Sequence, residues 1–142
     1  MPRSVYSEIN LHFTWHTKEN AAVLVDQIEN RVHHYLRHRA LAEAEVIVHE
    51  VGGMPDHVHL AVSVPPTLLI SEWIGAMKGG CSHYINSEIA NRRVLEWQTG
   101  YGVVSFGSKD LAWVVAYIRN QKEHHANRTT QERLERIDRF VG

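Results

Sequence analysis

The sequence predicts a single α+β domain built on a four-stranded antiparallel sheet. Two stretches alternate apolar and polar side chains with period two, two others repeat apolar residues at three- and four-residue steps, and Gly or Pro punctuates the joins. In residues 5–15, Ile9, Leu11, Phe13 and Trp15 point one way and Glu8, Asn10, His12 and Thr14 the other, which describes a strand with one polar face. From about Asn20 to Leu41, Ala21, Val25, Ile28, Val32 and Tyr35 form the stripe of an amphipathic helix. Residues 44–51 are β-branched and read as a second strand, and Gly52 to Asp56 reads as a turn. Residues 57–64 form a third strand whose apolar set is Val58, Leu60, Val62 and Val64.

Pro65-Pro66 ends that strand, and Thr67 is placed to cap a helix over 68–92. Gly75, Gly79 and Gly80 predict a kink in it or a close approach to another backbone. Residues 102–107 give a short fourth strand, and Ser108 caps a third helix over 109–125 with Leu111, Val114, Val115 and Ile118 apolar. A polar tail from about 127 holds a further helical stretch over 131–140. The order β-α-β-β-α-β plus a C-terminal helix is the split βαβ, ferredoxin-like or RRM-like pattern. That pattern leaves one sheet face open.

Composition sets bounds on function. The 142 residues suit one domain with a core that needs no disulfides, and 44% apolar with 22% charged residues is ordinary for a globular protein. The lone Cys81 excludes an intrachain disulfide. No secretory signal pattern and no apolar run near the ~20 residues of a membrane span is present, so a cytoplasmic protein with no membrane partner is expected. A net charge of −1 argues against a generic nucleic-acid coat. The basic residues that follow Tyr117 exceed the acids only slightly, which a solvated helix face explains almost as well as a phosphate surface.

The 11 histidines are the unusual feature, because imidazole binds metals and carries protons near neutral pH. His57 and His59 are i and i+2 on the third strand, so both rings share the face opposite Val58 and Leu60. Their spacing of roughly 6.5–7 Å along the strand lets both tilt onto one cation. Chance alone gives slightly under one His-x-His triplet in this composition, and an exposed sheet face accepts histidine without a metal. On the open face, His57 is expected to contribute little to packing. On the third helix, Tyr117 and Gln121 lie one turn apart on one face, able to present a hydroxyl and an amide oxygen to one site. A boundary tyrosine beside a solvated glutamine is the plainer alternative. Lys78, Arg92, Arg93, Arg119 and Lys122 are candidates for phosphate contacts, while Trp73, Trp97 and Tyr101 read as core or interface rather than stacking platforms.

Three segments occur in order: Met54-Pro-Asp-His-Val-His-Leu60, Trp97-Gln-Thr-Gly-Tyr-Gly102 and Tyr117-Ile-Arg-Asn-Gln-Lys-Glu-His-His125. Together they resemble the single-tyrosine HUH transposases of bacterial insertion sequences, the IS200-like family, and the related REP-associated tyrosine transposases. The resemblance runs from the first strand to the Tyr117 helix; the tail after Arg128 has no clear counterpart. It implies that His57, His59 and Gln121 bind magnesium or manganese and that Tyr117 is the nucleophile. It also implies cutting and rejoining of single-stranded DNA with hairpin ends through a 5′-phosphotyrosine, by a homodimer whose tyrosine helix can complete the partner's site. The residues name no general base, since His124 and His125 lie about two turns beyond Tyr117. Two other readings stay open: a non-catalytic single-stranded nucleic-acid-binding module on an RRM-like fold, and a metal-dependent hydrolase in which Tyr117 is structural.

Overall fold

A computed structural model describes residues 5–138. Its elements are β1 (Asn10–His16), α1 (Asp26–Leu41), β2 (Ile47–Met54), β3 (His57–Ser63), α2 (Ile70–Tyr84), β4 (Gly102–Phe106), α3 (Leu111–Arg119), α4 (Gln121–Asn127) and α5 (Glu132–Glu135). The four strands form one antiparallel sheet in the order β2-β3-β1-β4, the ferredoxin-like arrangement. β1 is central, with Thr14 paired to His59 on one side and to Gly102 on the other.

The alternation in β1 and β3 fixes the core. Leu11, Phe13, Trp15, Val58, Leu60 and Val62 are buried against Val32, Leu36 and Ala40 of α1 and Trp73, Ile74, Met77 and Cys81 of α2. The opposite face is covered as well, contrary to the expected open sheet. Val114 and Ile118 of α3 pack on Ala61 of β3, with Phe106 beside them. Under α3 to α5, His12, Thr14, His57 and His59 are 1%, 1%, 3% and 0% exposed. His57 is therefore a buried side chain, and the notion that it contributes little to packing is corrected. The cause lies in α3 itself: its apolar stripe needs an apolar surface, and small Ala61 and Gly52 leave room for it.

Several boundaries differ from the sequence reading. Val5 to Glu8 are exposed and pairing begins with the Ile9 carbonyl, which accepts from the Val64 amide (2.9 Å), because among the described residues no strand lies beside the earlier stretch. The first helix starts at Asp26; residues before it form a short 3-10 turn and an extended strap in which the Leu24 amide donates to Pro55 O (2.9 Å). Gly52 and Gly53 stay inside β2, paired to His59 and Val58, so ladder hydrogen bonds override the turn propensity. α2 runs without a kink to Tyr84 and ends in a π-turn over Ile85–Ile89; Gly80 gives space to the Tyr35 hydroxyl, a side chain rather than a backbone. Ser108 does not cap α3: its hydroxyl accepts from the Asn10 amide (3.0 Å), and a 3-10 turn precedes the helix. The third helix breaks at Asn120 (φ −103°, ψ 27°), separating α3 from α4. The tail helix is the single turn Glu132–Glu135; residues 139–140 of the expected stretch lie outside the described residues.

Candidate metal and tyrosine site

The two strand histidines share a face, and each has one ring nitrogen held by a neighbour. His57 Nδ1 is 2.7 Å from Asp56 Oδ1, and His59 Nδ1 is 2.9 Å from His12 Nε2 on the adjacent strand. A carboxylate or second polar group on Nδ1 orients the ring and leaves Nε2 for a ligand. Both Nε2 atoms are buried and make no hydrogen bond among the described residues. They face the carboxylate of Glu135, with Oε1 at 3.2 Å from His57 Nε2 and 3.4 Å from His59 Nε2, at angles unsuited to hydrogen bonding. His125 Nε2 approaches the same oxygen at 3.4 Å. One ligand atom from each of His57, His59, His125 and Glu135 lies within 4.8 Å of all the others, a spacing that a metal ion can bridge.

The other carboxylate oxygen meets the tyrosine. Tyr117, 2% exposed, donates its hydroxyl to Glu135 Oε2 and accepts from the Gln131 amide (2.9 Å). Trp113 and His124 flank its ring at centroid distances of 5.6 and 4.7 Å. Gln121 joins from the start of α4: its Nε2 is 3.2 Å from Glu135 Oε2, and its Oε1 is 3.0 Å from His125 Nε2. The break at Asn120 thus still leaves Tyr117 and Gln121 at one place. Glu135 brings the sequence-nominated Tyr117, His57, His59 and Gln121 together.

Electrostatics follow from burial. His12 is pushed down to about 3 by burial, with the His59 charge adding, and burial lowers His59 too. At His57 burial also favours the neutral ring, but Glu135 and Asp56 outweigh it and the net shift is upward. The Tyr117 phenol is pushed up to about 12 by burial and by its bond to Glu135. Burial alone would raise the Glu135 carboxyl, yet the His57 and His59 rings that face it and the hydroxyl of Tyr117 hold it well below the usual carboxylate range.

Comparison with known proteins decides the family. The profile described as "Transposase IS200 like" matches residues 5–121. The chain is an IS200-like transposase. Such proteins cut and rejoin DNA during transposition. The transposase is 28% identical over 129 residues to the ISDra2 transposase TnpA of Deinococcus radiodurans, spanning 85% of this chain and 89% of that one. It matches the crystal structure of a Deinococcus radiodurans protein assigned as a transposase with a TM-score of 0.68 at 25% identity, over 85% of this chain and 96% of that one. A REP-associated tyrosine transposase, solved bound to a REP hairpin, shares the fold at TM-score 0.64 and 16% identity, over 88% and 73% of the two chains.

The basic candidates in this transposase are dispersed. Lys78 donates to the carbonyls of Gln98 (2.9 Å) and Gly100 (2.8 Å), so it braces the segment before β4. Arg92 is exposed, and Arg93 faces Glu96 at 3.4 Å. Arg119 holds Glu50 in a fork at 2.9 and 3.1 Å, and Lys122 pairs with Glu29 at 2.6 Å. Trp73 is core, while Trp97 and Tyr101 pack half-buried against it. Three site residues were missed in the sequence: His12, His125 as a partner of the histidine pair, and Glu135. His12 stood on the correct face of β1, but its pairing depends on strand register. Glu135 gave no local signal at all. Among the described residues no helix is long and apolar enough to cross a membrane.

Proposed function

We propose that this transposase cuts and rejoins single-stranded DNA with Tyr117 as nucleophile, beside a divalent ion, magnesium or manganese, held by His57 and His59 with Gln121 next to them. One observation carries the reading: the phenol and two buried imidazole nitrogens converge on opposite oxygens of one anion, Glu135. An anionic phosphodiester needs the same neighbours. The donors suit such an ion, since both Nε2 atoms are buried without hydrogen bonds and both Nδ1 atoms are already held. When bound, the ion supplies charge neutralisation to the phosphate and aligns it for attack.

In the step itself, the Tyr117 oxygen bonds to phosphorus while the bond from phosphorus to the upstream 3′ oxygen breaks. The phenol proton is lost and the 3′ oxygen leaves as a hydroxyl, so a 5′-phosphotyrosine conserves the bond energy. Attack by a 3′-hydroxyl on that linkage reverses the step and joins strands. In the present arrangement burial and the hydrogen bond to Glu135 favour the protonated phenol of Tyr117. Tyr117 reaches the histidines of its own chain, so one copy suffices for this geometry; a homodimer and hairpin-ended DNA enter from the family resemblance. The REP-associated relative was solved with a hairpin, which supports the second. Lys78, Arg92, Arg93, Arg119 and Lys122 are proposed as phosphate contacts on the flanks.

A purely binding module on the sheet face is disfavoured, because such modules read bases on an exposed face and this one is buried under α3 to α5. Incubation with single-stranded DNA and Mn²⁺, followed by denaturing electrophoresis, tests the proposal. The expected result is a protein–DNA adduct that vanishes in Tyr117→Phe. Cleavage without adduct would instead favour a hydrolase, and binding without cleavage a module.

A further inference from the structure

Around Glu135 Oε1 stand three imidazole nitrogens, from His57, His59 and His125, at 3.2, 3.4 and 3.4 Å. A tetrahedral ion with bonds of ~2.1 Å separates its donors by ~3.4 Å. The separations from the carboxylate oxygen are thus those of a coordination shell. The nitrogens of His57 and His59 approach that oxygen without hydrogen-bond geometry among the described residues, and one ligand atom from each of the four side chains lies within 4.8 Å of the others. We propose that Glu135 and His125 are metal ligands that close, with His57 and His59, a four-donor site of three nitrogens and one oxygen. This rests on the reading that the two strand histidines bind the ion.

The tail that carries Glu135 is built into place. Leu134 is 3% exposed, the Gln131 amide donates to the Tyr117 hydroxyl, and the Arg133 guanidinium donates to Ser105 O on β4. A side chain at Gly102 would run into the Arg136 carbonyl, so β4 is shaped to receive the tail. Gln121 then has a bracing task in this arrangement, one end on Glu135 and the other on His125. Loading the ion exchanges the His125 contact to Gln121 for a bond to the metal. Three imidazoles and a carboxylate suit borderline ions such as zinc, manganese or cobalt, whereas magnesium prefers oxygen donors and retained waters. The site with the tail docked therefore prefers zinc, cobalt or manganese over magnesium.

Titration of the full-length protein with Co²⁺, read by visible absorption, tests the assignment, because a four-coordinate cobalt ion absorbs far more strongly than a six-coordinate one. The wild type is expected to give an intense spectrum. Glu135→Gln and His125→Asn should each lower Co²⁺ affinity at least ten-fold and weaken the bands, while Glu132→Gln on the same helical turn changes neither. In the wild type, bound Co²⁺ should also slow tryptic cleavage at Arg133 and Arg136, a measurement that needs no variant to fold. Wild-type affinity and spectrum in Glu135→Gln, or no protection of the tail, overturns the inference. If His57→Ala loses the ion while Glu135→Gln keeps it, the tyrosine-and-histidine reading stands and only the tail ligand falls. A wild type that binds no Co²⁺, Mn²⁺ or Zn²⁺ removes both.

Discussion

Gly52 is where the tyrosine helix rests on the sheet. A Cβ added there would lie 2.7 Å from the Ile118 carbonyl oxygen and 2.9 Å from Ile118 Cγ2. Ordinary carbon contacts sit at about 3.5–4.0 Å, so Gly52→Ala forces α3 back by roughly 0.7 Å or more. The neighbour that must give is helix backbone, and Tyr117 is the adjacent residue. Overpacking of this kind costs about 1–3 kcal/mol. Displacing the proposed nucleophile by ~1 Å costs on the order of 10²-fold in rate, so the adduct-forming rate should fall at least ten-fold. Gly75→Ala is the matched control, since its added Cβ meets nothing within 4 Å; it should gain about 0.5–1 kcal/mol and keep its activity. Thermal unfolding and single-turnover adduct formation measure both effects. Wild-type Tm and rate in Gly52→Ala would refute the claim that this contact positions the phenol.

Two further expectations concern groups away from the site. His33 on α1 has a buried Nε2 with no hydrogen-bond partner among the described residues, and burial lowers its pKa, so it folds as the neutral ring. A depressed base binds its proton better when unfolded; its contribution is full above about pH 6.5 and is lost as pH falls below that, at up to ~1.4 kcal/mol per pH unit. His33→Gln should therefore flatten the acid limb of Tm against pH in metal-free protein; an unchanged slope would contradict this. Cys81 is fully buried in the core and its thiol is pushed up to about 12, so at pH 8 it should resist alkylation until denaturant is added, as mass spectrometry of iodoacetamide-treated protein would show. Modification of the native protein at the rate of a free thiol would show that the α1–α2 layer opens.

Much of the fold was legible because its signals are local. Period-two alternation in β1 and β3 gave the buried face residue by residue, and Val58, Leu60 and Val62 are where that pattern put them. Boundaries failed where pairing decides: Gly52 and Gly53 look like a turn alone but are strand when β3 supplies partners. The polar face of β1 looked solvent-exposed because Asn10, His12 and Thr14 are polar. They are buried because hydrogen bonds to Ser108, His59 and the Val58 carbonyl satisfy them. Of the site, the family resemblance nominated Tyr117, His57, His59 and Gln121, while spacings of two on a strand and four on a helix placed each pair on a shared face.

By itself the sequence determined the element order, the core face of the central strands and the residue types gathered for chemistry. The tertiary structure alone decided that the second sheet face is closed, that the chain breaks at Asn120, and that a carboxylate from the polar tail stands between phenol and imidazoles. The physical reason is range. Periodicity records which way a side chain points from its own element, whereas the meeting of Glu135 with His57 spans 78 positions of chain and depends on how α3 and the tail bury their apolar residues against the sheet.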